Sequence, residues 1–343
     1  MIKRIFLLLV AFVLLLTACG TDSGNVPIPT PTPTATPEPT PSPEEIFLET
    51  YIRTSERPIA IMVDNDDKNA RPHAGLNEAY LVYEMVVEGG STRFLALFKG
   101  MDTEKIGPVR SSRHYFLDYV MENDAIYTHF GWSPKAIQDI SAYQIQKING
   151  VLGEDGDIFW REEKFKGDWH SAYTSISKIK AKAEQKGFPS ETSRKNGIEY
   201  ANAFYTPDSE NSANEVLLDY SYRYRTGYTY NPEAMLYEKT IMGAPHVMQN
   251  GEVMLLKNIL VQFIADTSLG DGTDRRNLIT TGSGKGYYIT NGVYEEITWS
   301  KAGRREDTVY QRTDGTPLKI NPGKTIVNII SSSNSVQFES SGR

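Results

Sequence analysis

The sequence predicts an α+β fold, with an α/β-like N-terminal domain built on a mixed sheet and a mainly β C-terminal domain. In the first part, over 56–190, short apolar runs such as 58–63 and 92–98 alternate with helical patterns. That alternation is typical of strands covered by helices. Ser133-Pro134 predicts a helix start, and Gly187 predicts the end of a helix over 171–186.

The composition changes after a polar connection over 190–214. Tyrosine alternates with polar residues over 217–230, which is the period of a half-buried strand pair. Asn291-Gly292 and Asp314-Gly315 predict hairpin turns. We expect 324–330 to be the closing strand. These patterns place the β domain at 214–331, followed by a flexible tail at 332–343.

The first residues predict export and lipidation. Lys3 and Arg4 precede an apolar run over 5–16, which has the length of a secretory signal core and is too short to span a bilayer. Leu-Thr-Ala before Cys19 resembles the lipobox of bacterial lipoproteins. This resemblance implies cleavage after residue 18 and anchoring to the cell membrane, on its extracytoplasmic face, through lipid on Cys19. An ordinary secretory signal with an incidental cysteine is the alternative.

A proline-rich stalk is predicted after Cys19. Eight of the seventeen residues 27–43 are proline and five are threonine, a composition that cannot build a core and favours extended polyproline II. At about 3 Å per residue, the tract would hold the folded part roughly 50 Å from the anchor. We therefore assign 19–48 to the lipidated cysteine and the stalk.

Cysteine content and charge argue against two classes of function, thiol-based catalysis and nucleic-acid binding. Cys19 is the only cysteine in 343 residues, so the rest of the chain has neither a disulfide nor a thiol nucleophile. Removal of residues 1–18 takes away Lys3 and Arg4 and moves the formal charge from −7 to −9. An acidic ectodomain disfavours a nucleic-acid partner, which would need a basic face.

An anion site is predicted where the strand at 92–98 leads into Arg110-Ser111-Ser112-Arg113 and then a helical pattern. Serine is a favoured helix N-cap, and a helix N-terminus presents unpaired N–H groups to an anion. Arginine adds a fork of donors that suits phosphate or carboxylate. The alternative is a helix cap with two arginines whose charges are met by Glu84, Glu88 or Asp64.

Further polar residues are predicted at strand ends or in adjoining loops of this domain, where ligands of open α/β sheets gather. The candidate ligand-binding residues are Asp64, Arg71, His73, Glu88, Arg93, Arg110, Ser111, Ser112, Arg113, His129, Trp132 and His170. Arginines mixed with carboxylates suit a phosphate or a carboxylate-bearing polymer. A structural role is the alternative for several of them, since His129 lies in an apolar strand and Asp64 begins an acidic turn.

No metal or cofactor site is predicted. The five histidines show no metal-ligand spacing such as H-x-x-x-H, and the acidic clusters lack a calcium-loop pattern. Residues 282–286 lack the full phosphate-loop signature, and we interpret them as a bulged β turn. The tyrosines of 220–230 fit a sheet face better than a glycan platform.

Several longer motifs occur together. They are RPIAIMVDN at 57–65, RPHAGL at 71–76, GPVRSSR at 107–113, GAPH at 243–246 and WSK at 299–301. They resemble the YerB-like lipoproteins of Gram-positive bacteria, a family defined as a domain of unknown function with N- and C-terminal parts. The resemblance covers nearly the whole mature chain. It implies a lipid-anchored, two-domain extracytoplasmic protein without an established activity. The chain departs at Trp169-His170-Ser171, where the family tends to have Pro-His-Asn, so a role for that asparagine is not carried over.

These observations predict a membrane-anchored lipoprotein that binds an anionic cell-envelope ligand or a cell-wall assembly partner, either wall polymer or a wall-synthesis protein. The alternative is an enzyme, a phosphotransferase or hydrolase, that acts on lipid-linked or phosphorylated wall polymer. A strand ending in Val-Asp, an arginine loop and a Pro-x-Arg turn are similar, at the level of the fold, to LytR-CpsA-Psr phosphotransferases. No G-x-S-x-G elbow marks a serine hydrolase, and we prefer the binding interpretation.

Overall fold

The computed structural model describes residues 40–66, 69–151, 153–195 and 197–339. The predicted signal peptide, Cys19 and most of the predicted stalk lie outside the described residues. The chain from Pro41 onward forms one compact unit. Across the described ranges, no helix is both long enough and apolar enough to cross a membrane.

Four short α-helices occur in the described residues. They are α1 (Pro43–Phe47), α2 (Leu117–Glu122), α3 (Pro134–Ala142) and α4 (Ile176–Gln185). The predicted start of α3 is confirmed, because Ser133 Oγ accepts from Ala136 N and Pro134 is the first helical residue. Helix α1 begins inside the predicted stalk and is capped by Ser42.

The described residues also form nineteen β-strands. They are β1 (Ile59–Asn65), β2 (Leu81–Val86), β3 (Thr92–Phe98), β4 (Ile126–His129), β5 (Lys147–Asn149), β6 (Trp160–Arg161), β7 (Ala172–Tyr173), β8 (Glu215–Ser221), β9 (Tyr224–Asn231), β10 (Leu236–Ile241), β11 (Ala244–Pro245), β12 (Leu255–Leu256), β13 (Asn258–Ser268), β14 (Arg276–Ile279), β15 (Gly282–Thr290), β16 (Val293–Lys301), β17 (Val309–Arg312), β18 (Thr325–Ser331) and β19 (Val336–Glu339). Strand content therefore exceeds helix content, and the predicted α+β class with a mainly β second half is confirmed.

One mixed sheet of eleven strands runs through both halves of the chain. Its order is β17-β16-β15-β13-β18-β2-β3-β1-β4-β5, with β14 paired to β13. Strand β18 is parallel to β2 on one side and to β13 on the other. Its residues are buried almost throughout, as expected for an apolar strand inside a parallel sheet. The predicted strand at 324–330 is therefore confirmed as β18, although β19 follows it in the chain, so it is not the closing strand.

A second, six-stranded sheet contains β11-β10-β9-β8-β19, with β12 paired to β10. The predicted strand pair over 217–230 is confirmed as β8 and β9, and the exposed Tyr222 lies in their turn. Tyr220, Tyr224 and Tyr228 are buried against the large sheet, so the tyrosines form a sheet face. A separate two-stranded sheet joins β6 and β7.

Three further local expectations are corrected. Helix α4 is shorter than 171–186, because residues 172–173 pair with β6 as a strand. Residues 282–286 are the start of β15 and not a bulged turn. Residues 336–339 of the predicted tail pair with β8, because Val336 and Phe338 cover apolar neighbours, whereas 340–343 lie outside the described residues.

The two predicted domains share their hydrophobic core. Buried apolar residues from both segments belong to one cluster, which includes Ile61 and Phe94 of the first segment and Leu260 and Val327 of the second. The boundaries 56–190 and 214–331 remain predictions about how the segments fold.

The Asn291-Gly292 turn between β15 and β16 has both residues at positive φ, as the predicted hairpin requires.

Candidate functional site

Asp64 lies near the carboxyl end of β1 and is fully buried. Its register partner on the antiparallel strand β3 is Arg93, whose Nε is 3.8 Å from Asp64 Oδ1. Asp64 Oδ2 lies 2.9 Å from Arg110 Nε and 2.6 Å from His170 Nδ1. Three of the predicted residues therefore meet around the carboxylate of a fourth. We call Asp64, Arg93, Arg110 and His170 the Asp64 cluster.

Backbone pairing brings the loop over 106–113 to this carboxylate. Asp64 N donates to Pro108 O and Arg110 N donates to Met62 O, both at 2.9 Å, so the loop runs beside β1. On its other side, Val109 N donates to Ala172 O at 2.7 Å. Gly107 is required at φ +150°, because an added Cβ would lie 2.7 Å from Ala172 O.

The charges of the Asp64 cluster stabilise one another. Burial raises the pKa of the Asp64 carboxyl, but the hydrogen bond from His170 and the charges of Arg93 and Arg110 outweigh it and hold the pKa below its usual value. The same hydrogen bond raises the pKa of His170 against the effect of burial. Burial, with Arg113 nearby, lowers the pKa of Arg93 to about 10, so Arg93 stays charged at neutral pH.

His73 contacts the backbone of Asp64 and is also buried. Its Nε2 is 2.7 Å from Asp64 O, and its Nδ1 is 2.8 Å from Nε2 of His246, which comes from the second half of the chain. Burial lowers the pKa of His73 to about 4 and that of His246 well below its usual value. Both imidazoles are therefore neutral at pH 7, and one of them donates to the other.

Arg71 approaches the cluster through Asn65, the last residue of β1. Arg71 Nη1 donates to Asn65 Oδ1 at 3.0 Å and lies 3.5 Å from Asn65 O. Asn65 Nδ2 in turn donates to Thr92 Oγ1 at 2.8 Å and also contacts the Tyr224 hydroxyl. In the part of the chain that the structure describes, Arg71 is half-buried and bonds only to neutral oxygens.

Glu88 and Arg113 form a separate ion pair at the same end of the sheet. Arg113 Nε and Nη2 donate to the two Glu88 oxygens at 2.6 and 2.7 Å. This bidentate pair keeps the pKa of Glu88 below its usual value despite burial. Arg93 of the Asp64 cluster is close enough for its charge to help lower the pKa of Glu88, and its Nη1 donates to Ser111 O at 2.6 Å.

The predicted helix cap is wrong. A 3-10 turn, His114–Phe116, follows Arg113 without a side-chain cap, and α2 begins only at Leu117. Ser111 Oγ instead donates to Phe130 O at 3.0 Å. The backbone of the loop pairs with residues 130–133 and with β1, so its extended conformation prevents a serine from capping the helix.

Ser112, His129 and Trp132 lie beside the cluster without touching the Asp64 carboxylate. Ser112 forms an isolated bridge with Trp132, and His129 Nδ1 lies 2.7 Å from Gly131 O. His129 stacks on Tyr127 with ring centroids 4.8 Å apart, and burial lowers its pKa to about 4. These contacts agree with the packed histidine that the apolar strand suggested.

Among the described residues at this end of the sheet, cationic side chains outnumber carboxylates. The cations are Arg71, Arg93, Arg110, Arg113 and His170 in its protonated form, and the carboxylates are Asp64, Asp66 and Glu88. Lys164 and Asp168, which bond to the backbone of Arg71 and His170, add one charge of each sign. Among the described residues, no group of three or more His, Cys, Asp or Glu side chains is arranged to hold a metal ion.

Sequence reasoning missed a buried ion pair next to the site. Lys239 Nζ on β10 lies 2.9 Å from Glu84 Oε2 on β2, and neither side chain is exposed to solvent. Glu84 Oε1 also accepts from Thr92 Oγ1 at 2.8 Å. No local pattern could pair residues 155 positions apart, although GAPH at 243–246 did single out His246.

Comparison with known proteins identifies the family. Residues 49–189 match the N-terminal domain, and residues 216–327 the C-terminal domain, of a protein family of unknown function, DUF3048. The chain belongs to the DUF3048 family. It is 34% identical over 285 residues to the protein named "Putative lipoprotein YerB" of Bacillus subtilis (strain 168), which covers 81% of this chain and 82% of that protein. The crystal structure of the YerB protein from Bacillus subtilis matches with a TM-score of 0.72 at 30% identity, over 82% of this chain and 94% of that one.

Proposed function

We propose that this DUF3048 protein is a lipid-anchored extracytoplasmic protein that binds an anionic cell-envelope ligand at the Asp64 cluster. The observation that carries the proposal is the convergence of Arg93, Arg110 and His170 on a single carboxylate, Asp64, with Arg71 held beside it by the neighbouring Asn65. Arg71 reaches this place without a carboxylate partner among the described residues. A ligand phosphate or carboxylate would supply the missing charge.

The solvent exposure of Arg110 supports binding of a ligand on the solvent-facing side of the Asp64 cluster. The Asp64 side chain is not exposed, whereas 24% of the Arg110 side chain is. The buried carboxylate therefore orients Arg110 from below and leaves part of its guanidinium open to solvent. In a chain of formal charge −7, such a local positive surplus is the part of the surface that attracts an anion.

Titration calorimetry with pyrophosphate and with phosphorylated wall-polymer fragments tests this proposal. We expect saturable binding by the wild type and about tenfold to hundredfold weaker binding by Arg71→Ala, which loses charged hydrogen bonds. The stability of Arg71→Ala should change by about 1 kcal/mol or less, because its present partners are neutral. Arg275→Ala is the matched control, since Arg275 pairs with Asp271 in a distant hairpin. Absence of binding by the wild type, or equal binding by Arg71→Ala, would contradict the proposal.

A second candidate function rests on the Asp64–His170 hydrogen bond. A carboxylate that holds one ring nitrogen of a histidine orients the other nitrogen for proton transfer. His170 Nε2 has no hydrogen-bond partner among the described residues, and Arg110 lies on the same carboxylate oxygen. This arrangement favours a phosphotransferase or hydrolase of phosphorylated wall polymer as the alternative. Phosphate release from such a polymer by the wild type but not by His170→Gln would support it.

The anchor is proposed from the lipobox resemblance and from the name of the Bacillus subtilis relative. We expect Cys19→Ala to move the protein from the membrane pellet to the supernatant after fractionation in high salt. Lipid on the cysteine supplies the attachment, because the acyl chains, and not the acidic ectodomain, bind the bilayer. Full retention of Cys19→Ala in the pellet would contradict lipid anchoring at this residue.

A further inference from the structure

A mainly apolar pocket of about 570 Å³ has no lining residue in common with the Asp64 cluster. Its wall includes Phe47 of α1, Phe204, Leu236 of β10 and Leu255 of β12. Phe204 and Leu255 are 38% and 40% exposed, which is unusual for side chains of this size beside a packed core. The volume lies within the range of pockets that bind small ligands.

Two lysines, Lys257 and Lys324, also line this pocket. Lys257 is 2% exposed, and its Nζ lies 4.3 Å from the centroid of the Phe204 ring and 3.1 Å from Met235 O. Lys324 Nζ donates to Asn77 O at 2.6 Å. Burial lowers the pKa of both lysines. Within the described ranges neither lysine has a carboxylate in ion-pair contact; the charge of Glu44 acts on Lys257 only from a distance, as do those of Glu78 and the pocket residue Glu252 on Lys324. A bound anion would complete the compensation of both ammonium groups.

The backbone at Gly323 permits this placement of Lys257. Gly323 has φ +150°, and an added Cβ would lie 2.5 Å from Lys257 Cβ. Glycine therefore lets the lysine stem lie directly against the chain. The ammonium group is held next to the pocket by this contact and by its hydrogen bonds to Met235 and Asn291.

Asn77 provides a second, independent sign of a ligand. It lines the pocket and is 9% exposed, yet its Oδ1 is buried without a hydrogen-bond partner in the described part of the chain. Its Nδ2 donates to Glu252 Oε2 at 2.6 Å, which fixes Oδ1 as the free atom. A buried acceptor left unpaired costs free energy, and a hydroxyl group on a ligand would satisfy it.

We propose that this pocket binds a single-chain anionic lipid whose head group carries a hydroxyl, with the acyl chain along Phe47, Leu236 and Leu255. The two lysines meet the phosphate, and Asn77 Oδ1 accepts from the hydroxyl. A peptide fits less well, because it would bury backbone N–H and C=O groups against an apolar wall, whereas an acyl chain buries none. The proposal is independent of the Asp64 cluster.

The test uses the chain from residue 20 onward, which lacks the lipidation cysteine. The probe is 1-palmitoyl lysophosphatidylglycerol below its critical micelle concentration, measured by titration calorimetry. We expect saturable 1:1 binding, weaker binding of lysophosphatidylcholine with the same chain, and none of glycerol 3-phosphate alone. Lys324→Met and Leu255→Asp should each weaken binding about tenfold or more. Lys319→Met, whose side chain is 61% exposed outside the pocket, should bind as the wild type does.

Several results would overturn the proposal. They are absent binding, equal binding by Leu255→Asp, tight binding of glycerol 3-phosphate alone, and tighter binding of an apolar peptide with a free carboxylate. Thermal melting of each variant shows that it is folded, and Leu255→Ser is the milder substitute at the same exposed position. Arg71→Ala should leave lysophosphatidylglycerol binding unchanged, which separates this site from the Asp64 cluster.

Discussion

At the scale of single residues, Asp64 determines where the charged side chains lie. Its buried carboxylate holds Arg93, Arg110 and His170 within 4 Å, and its backbone carbonyl holds His73. A buried carboxylate is stable only when it is paired and hydrogen-bonded. Asp64 therefore neutralises part of the charge of these arginines, as the structural alternative in the sequence analysis expected. The ligand that we propose would neutralise the remainder.

The buried histidines predict a loss of stability in mild acid. His73 and His129 have pKa values of about 4 in the folded protein and about 6.5 in an unfolded chain. Between those values the unfolded state binds more protons, so the free energy of unfolding falls as the pH drops from 6.5 to 4. Each histidine contributes up to about 1.4 kcal/mol per pH unit.

Urea unfolding at intervals of half a pH unit measures this slope. In His129→Gln the slope between pH 6 and 4.5 should be smaller by roughly one such contribution. His170 has the opposite sign, because its raised pKa gives stability below pH 6.5 that is lost as the pH rises through its folded value. A flat profile between pH 6.5 and 4 would show that the histidines are not held neutral.

At the scale of the elements, local sequence patterns predicted where the strands lie. They did not predict which strands pair with each other in the sheet. The apolar run at β1, the Ser133-Pro134 start of α3 and the Asn291-Gly292 turn each carry their own signal within a few residues. The position of β18 between β2 and β13 carries none, because hydrophobic periodicity does not specify a partner strand. For the same reason the pairing of Lys239 with Glu84 and that of His246 with His73 were missed, as these partners lie 155 and 173 residues away.

The pair between Lys239 of β10 and Glu84 of β2 joins the second sheet to the large one. We expect Lys239→Met to lower the free energy of unfolding by about 3–5 kcal/mol, because it leaves Glu84 buried and unpaired. The double variant Glu84→Gln with Lys239→Met should recover much of that loss. Urea denaturation of the two single variants and the double variant measures the coupling. Additive losses would mean that the two side chains do not interact.

At the scale of the whole molecule, two family segments build one sheet. Strand β18 of the second segment lies beside β2 of the first, and the apolar cores are continuous. This arrangement connects the Asp64 cluster to the C-terminal segment, since His246 contacts His73, which bonds to the backbone carbonyl of Asp64. The composition of the sequence predicted two segments, but it could not show that they share a sheet.

Separate expression of the segments tests this sharing. We expect residues 41–189 alone to unfold without a cooperative transition, because β2 would lose its β18 neighbour and Glu84 its lysine. Co-expression with residues 197–343 should restore one cooperative unfolding transition. Circular dichroism at increasing urea concentration measures that transition. Cooperative unfolding of 41–189 alone, at the midpoint of the whole chain, would instead show that the segments are independent domains with their own cores.

The most direct test of the central claim is a crystal structure of the chain from residue 20 onward, grown with pyrophosphate. We expect density for the anion within hydrogen-bond distance of Arg71 and Arg110, next to His170, with Asp64 still bound to the cluster from beneath. Crystals of Arg71→Ala grown under the same conditions should lack this density. An empty cluster at saturating pyrophosphate, with Arg110 paired to Asp64 as in the free protein, would contradict the claim and assign these arginines to the fold alone.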